Sequence, residues 1–302
     1  MRQFLLDQPL GPGERVTLEG DDFRYLVQVL RLGLGATVEA RLPDGTLASL
    51  AVERLDARAK TVTLRRPAGP RADGTPSAPA ADVPAIRVPD TGDAARPAST
   101  IRSAAGIRPG ESMPPLPEVP ERFPRIILFQ WILKGPKMDQ VIRQATETGV
   151  SAIVPVSGER CLPREGDSAG RAARWARIVR EARQQSGSPV ATVVAAPVPV
   201  GAIGGIWADV SSGRRASALV LTEAPLARKT LHEYLDSGME IVALATGPEG
   251  GMTADELGSL ERAGFSAVHF RTNVLRAETA ALYGIAAAQT AIMESEKWQL
   301  KE

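Results

Sequence analysis

In 302 residues the chain has one cysteine, Cys161, and only two histidines, His232 and His269. A single thiol excludes an internal disulfide and fits a reducing compartment. Neither histidine stands at metal-ligand spacing from Cys161, so no metal site is expected. There is no G-x-S-x-G nucleophile elbow, no G-x-G-x-x-G dinucleotide fingerprint and no G-x-x-x-x-G-K-[ST] phosphate loop. Neither sign of charge dominates, since 36 basic and 35 acidic side chains nearly cancel. Any contact with a nucleic acid must therefore come from a local patch. Long apolar runs are missing too. Met1-Arg2-Gln3-Phe4 leads into no secretory core. The uncharged stretch 190–208 is broken by Pro197, Pro199, Gly201, Gly204 and Gly205, which predicts a strand, a turn and a short helix rather than a membrane span. The expectation is a soluble, cytoplasmic protein with no membrane partner.

What is present falls into three parts. Residues 1–66 read as a small β-rich domain, with strands expected at 15–18, 36–42, 47–52 and 61–64 and a Pro43-Asp44-Gly45 hairpin turn. One short helix is expected at 23–30, with Leu26, Val29 and Leu30 on its buried side. Residues 67–122 hold twelve of the 24 prolines and no aromatic residue. Such a composition buries too little apolar surface to offset its ordering entropy and reads as a flexible linker or insertion. From 123 to 302, strands (126–133, 152–156, 191–195, 218–221, 241–245, 267–270) alternate with helices (137–148, 169–185, 226–235, 254–263, 277–293). Thr253 and Glu256 form a capping box. This alternation predicts an α/β domain with a mostly parallel sheet covered on both faces.

Two loops of that domain carry the functional signal. Ala245-Thr246-Gly247-Pro248-Glu249-Gly250-Gly251 closes an apolar strand, and Val274-Leu275-Arg276-Ala277-Glu278-Thr279-Ala280 opens a helix of small residues. Both therefore belong at the same edge of the sheet, where open α/β folds bind ligands. The glycines allow a ligand close to the backbone, although a ligand-free strand-to-helix turn has the same composition. With no lysine after the glycines, a nucleoside-type ligand fits better than a phosphate. Glu278 either caps the helix through its dipole or serves the site, and Arg276 either pairs with Glu249 or Glu278 or faces a ligand. The small residues Ala277, Ala280, Ala281, Gly284, Ala286, Ala287 and Ala288 suit core packing or a dimer seam. Arg171, Arg174, Arg177, Arg180 and Arg183 spread over one helix, with Arg160 and Arg164 upstream. Together with Arg2, Arg24 and Arg31 they are either a solvated face or a track for a phosphate backbone.

Several segments, in order, resemble the RsmE-type methyltransferases: Met1-Arg2-Gln3-Phe4, Val29-Leu30-Arg31-Leu32, Lys134-Gly135-Pro136-Lys137-Met138-Asp139, Glu147-Thr148-Gly149-Val150, Glu159-Arg160-Cys161, Trp175, Glu181-Ala182, Gln185-Ser186 and the two C-terminal loops. The resemblance covers nearly everything except about 67–122. It implies a PUA-like RNA-binding β-barrel (1–66) joined to a SPOUT methyltransferase domain (123–302) with a trefoil knot, working as a homodimer. It implies S-adenosylmethionine as cofactor and N3 of a uridine in 16S rRNA of the small ribosomal subunit as target. The implied cofactor contacts are Leu221, Thr222 and Glu223, then Thr246, Gly247, Pro248, Glu249, Gly250 and Gly251, then Phe270, Val274, Leu275, Arg276 and Thr279. For such a reaction Arg276 is the candidate to stabilise a uridine anion and Glu278 the nearest candidate base. Candidate RNA contacts are Arg2, Arg24, Arg31, Lys134, Lys137, Arg160 and Arg183. Phe270-Arg271 replaces the family's usual Leu-Gly, Ser188 an arginine and Tyr25 a histidine. The alternatives are a related SPOUT enzyme acting on tRNA and a non-catalytic RNA-binding factor.

Overall fold

Short β-forming runs punctuated by glycine turns build the first of two units in the computed structural model, which describes residues 4–68, 113, 115–117, 119, 124–161, 168–227, 229–235 and 238–295. The N-terminal unit contains β1 (Phe4–Leu5), β2 (Arg15–Glu19), α1 (Gly20–Phe23), a π-helical turn (Arg24–Val29), β3 (Thr37–Arg41), β4 (Leu47–Asp56) and β5 (Thr61–Arg65). Its five-stranded sheet has the order β1-β3-β4-β5-β2, antiparallel except for the β1–β3 pair. The expected hairpin joins β3 to β4: Gly45 takes φ +81°, and the Thr46 amide donates to Asp44 Oδ1 at 2.9 Å. Strand β1 was not expected, because two residues are too few to show a period. The helix expected at 23–30 is also different. Phe23 and Leu26 are buried, but Val29 is 51% exposed. The π turn puts an extra residue into each winding, so Val29 rotates off the face that Leu26 occupies.

The second unit contains β6 (Arg125–Trp131), α2 (Lys137–Glu147), β7 (Ala152–Ser157), α3 (Ser168–Ser186), β8 (Val193–Val194), β9 (Val198–Pro199), α4 (Ile203–Ser211), β10 (Ala216–Leu221), α5 (Leu231–Tyr234), β11 (Ile241–Thr246), α6 (Ala254–Arg262), β12 (Ser266–Val268) and α7 (Ala277–Ser295). The strands pair in the order β12-β10-β11-β6-β7-β8, with β9 also on β7, and every pairing is parallel. Strand β6 is buried on both faces. Ile126 and Leu128 join a core with α2, α3 and α7, while Ile127, Phe129 and Trp131 join a second core with α4 and α6. That double burial explains its continuous apolar run. The uncharged stretch 190–208 becomes two short strands and the start of α4, and among the described residues no helix is long and apolar enough to cross a membrane.

Two boundaries moved. Helix α5 begins only at Leu231, because Thr230 and Glu233 form a capping box there; residues 222–227, with Pro225, stay outside it. Most of 67–122 lies outside the described residues, yet Met113 is 9% exposed and, with Leu116, packs into the core beside Trp131. The end of that proline-rich stretch is thus part of the C-terminal unit. On α7, Ala281, Ile285, Ala288 and Ile292 enter the core, while Ala286 stays exposed and Ala287 half-buried.

Candidate active site

Adjacent parallel strands must end at one edge, and β12, β10 and β11 are adjacent. The chain segments that leave them form three walls of a single cleft of about 730 Å³, a size suited to a small organic ligand. The first wall leaves β10 at Leu221. Thr222 is tied by its amide to Val268 O at the end of β12 at 3.0 Å and by its carbonyl to His269 Nδ1, on the third wall, at 3.1 Å. The second wall is Gly247–Gly251, a tight turn closed by the Gly251 amide on Pro248 O at 2.9 Å. Gly251 takes φ +70°, the left-handed region in which glycine is the unstrained choice. The third wall runs from His269 to Arg276 and ends where α7 begins.

All the expected cofactor residues line this cleft except Thr279, which faces outward one position from the lining Ala280. Helical spacing explains the difference: Ala277 and Ala280 share the cleft face, and Thr279 does not. Thr272 and Asn273, inside the expected segment from Phe270 to Arg276, line the cleft as well, whereas Met252, Leu257 and His269 line it and had no signature in the sequence. Phe270 lines it too, but its ring packs edge-on against Tyr283 with centroids 4.9 Å apart. Part of the bulk that replaces the family's leucine is thus taken up by α7.

The electrostatics centre on Lys137, at the first position of α2. Its Nζ lies 3.1 Å from Glu249 Oε1 and 3.5 Å from Glu278 Oε2. Glu249 Oε1 also accepts the Lys134 amide at 3.1 Å. Burial pushes the Glu249 carboxyl up, but hydrogen bonds from its own amide, Lys137 and the Lys134 amide outweigh this and hold it below the usual carboxylate range. Glu278 is buried at the head of α7 and does not line the cleft. Arg276 is exposed at the rim, and its side chain has no ion pair among the described residues. The carboxylates it was expected to meet are held by Lys137 instead.

The expected RNA contacts are spread. Arg160 reaches into the cleft, where its Nη1 donates to Gly250 O at 2.7 Å. Lys134 is exposed, and Arg183 is half-buried on α3. On α3 and its neighbour α2, Arg174 pairs with Asp139, Arg143 with Glu181 at 3.8 Å, and Arg171 lies over the Trp175 ring. Of that basic face Arg174 is thus engaged across to α2, and Arg171 is stacked on its own helix. In the N-terminal unit Arg24 is exposed and pairs with Asp21 at 3.6 Å, and Arg31 is exposed with φ 55°. Arg2 lies outside the described residues.

Two buried polar clusters support the second wall. At the ends of β6 and β11, Thr246 Oγ1 donates to Gln130 Oε1 at 2.6 Å, and Gln130 Nε2 donates to Trp131 O at 2.9 Å. Beneath the loop, Glu256 accepts from Trp131 Nε1, the Glu159 amide and the Thr253 amide. Gln130 carried a sequence signal as a lone amide inside the run Ile126–Leu133, and Glu256 carried one as a member of the capping box with Thr253.

An RNA methyltransferase domain model matches residues 120–289, more than half the chain. The chain is 35% identical over 164 residues to the Ribosomal RNA small subunit methyltransferase E of a Synechocystis species, covering 54% of this chain and 52% of that one. It is 30% identical over 161 residues to the protein of the same name from Aquifex aeolicus, covering 51% of this chain and 64% of that one. The matches thus span about half to two thirds of these relatives' lengths. In three dimensions it is similar to the Neisseria gonorrhoeae methyltransferase E bound to S-adenosyl methionine, with a TM-score of 0.67 and 25% identity over 96% of this chain and 97% of that one.

Proposed function

Because the chain belongs to the RNA methyltransferase domain family, we propose that it transfers a methyl group from S-adenosylmethionine to N3 of a uridine in the 16S rRNA of the small ribosomal subunit. The observation that carries this reading is the convergence of three strand-end segments on one cleft lined by every expected cofactor residue but Thr279. Similarity to methyltransferase E proteins supports the rRNA target. The resemblance to the RsmE-type family further implies a trefoil knot, a PUA-like RNA-binding role for the N-terminal sheet and a homodimer, and action on rRNA would place the chain in the cytoplasm.

The cleft fits the cofactor chemically. Gly247 lies close to Met252, where a Cβ would stand 3.1 Å from Met252 Cγ, so loop backbone and thioether line the cleft side by side. Leu221, Leu257 and Phe270 offer apolar surface for an adenine. Glu223, exposed on the first wall, suits ribose hydroxyls. Bound S-adenosylmethionine supplies an electrophilic methyl group.

The work of this chain is then orientation and charge. The N3–C bond forms as the methyl–sulfur bond breaks, and the N3 proton must leave before or during attack. The Arg276 guanidinium has no competing ion pair among the described residues, so it stabilises the developing uridine anion. Its exposed position leaves the proton a path to solvent. Glu278, turned from the cleft, acts through Lys137 rather than on the proton. An unpaired or extruded uridine is required to bring N3 to this rim.

The test is transfer of labelled methyl from S-adenosylmethionine to unmodified small subunits, naked rRNA and tRNA, followed by nucleoside analysis. N3-methyluridine from rRNA or subunits is expected. Label in tRNA or in another nucleoside would replace the target, and no incorporation with no cofactor binding would leave an RNA-binding factor.

A further inference from the structure

The geometry points to Lys137 as a positioning residue that straps the glycine loop to the head of α7 and so holds two walls of the cleft at their working separation. Three segments far apart in sequence meet at its ammonium group: the residues that open α2, the loop carrying Glu249, and the first turn of α7 carrying Glu278. A cation at the first position of a helix opposes the helix dipole, so acidic partners must favour it there. Glu278 depends on it most. Its Oε2 is fully buried and receives no hydrogen bond among the described residues, which leaves the Lys137 ion pair as its compensation. The strap also bears on Arg276. With both carboxylates held by Lys137, the rim arginine stays free for the substrate. Lys137 is then spent inside the cleft rather than offered to an RNA phosphate.

This inference rests on the S-adenosylmethionine reading, and its test separates the two. The full chain is compared with Lys137→Met, Lys137→Arg, Glu278→Gln and the Lys137→Met/Glu278→Gln pair. Amide exchange without ligand reads the strap by itself. Faster exchange over 247–251 and 276–280 in Lys137→Met, restored in Lys137→Arg, is expected. Calorimetric titration with S-adenosylmethionine is expected to show affinity about tenfold weaker for Lys137→Met and within about threefold of the parent for Lys137→Arg. The double variant should bind no worse than Lys137→Met, because removing the second charge removes the orphan. Unchanged exchange in Lys137→Met overturns the strap. So does unchanged cofactor affinity with a slope of log RNA affinity on log salt shallower by about one, the mark of a lost phosphate contact. If the parent chain binds no S-adenosylmethionine but exchange responds as expected, the strap stands and the functional reading fails.

Discussion

Gly284 of α7 stands so close to Leu221 at the end of β10 that a Cβ built on it would lie 2.5 Å from Leu221 Cδ1. Leu221 also lines the cleft, so this contact joins helix packing to the shape of the ligand wall. In Gly284→Ala the leucine tip must rotate. Alanine's better helix propensity offsets about 1 kcal/mol of the strain, so the melting temperature should change little while S-adenosylmethionine affinity falls. Gly284→Val should lose both, with stability down by about 1–3 kcal/mol. Unchanged cofactor affinity in both variants would disconnect this contact from the site.

Gly158 has a comparable role under the glycine loop. A Cβ there would stand 2.2 Å from Trp131 Nε1 and 2.4 Å from Glu256 Oε1, the two atoms that share a hydrogen bond. Gly158→Ala should break that bond and cost about 1–3 kcal/mol, since a buried donor loses its partner. All four tryptophans lie in the C-terminal part of the chain, so denaturant unfolding followed by their fluorescence reads this loss.

Arg276→Ala should lower turnover by about a hundredfold or more, the scale for removing one group that stabilises an anion. Cofactor affinity should change by only a few-fold. Turnover near the parent's at saturating S-adenosylmethionine would take Arg276 out of the mechanism.

Acid should weaken the C-terminal unit partly through Glu249. Its folded pKa lies below the ordinary value, so its contribution is complete above about pH 4.3 and is lost as pH falls through the folded value. Glu249→Gln should therefore flatten the acid limb of stability against pH. Glu233, held down by its hydrogen bonds from Thr230, keeps a share of the slope. Parallel acid limbs in parent and variant would show that Glu249 contributes nothing to it.

What the sequence determined by itself was local. A continuous apolar run marks β11, glycines mark the turn that ends it, and Thr253 with Glu256 marks the start of α6, because each signal is written within a few neighbouring residues. Strand followed by helix also implies parallel strands, and parallel strands bring their following loops to one edge. That much places Thr246–Gly251 and Val274–Arg276 together. Tertiary structure decided the partners. Lys137 meets Glu249 and Glu278 because β11 lies beside β6, a neighbour relation that no local period encodes. Gly158 and Gly284 look like ordinary glycines in sequence, yet each is required by an atom brought from a distant strand. Val29 was misplaced because a π turn, unlike an α turn, leaves no distinct apolar spacing. Short-range sterics and periodicity thus chose the elements and the edge, while long-range packing of charged and buried polar groups chose which side chains there are free to act.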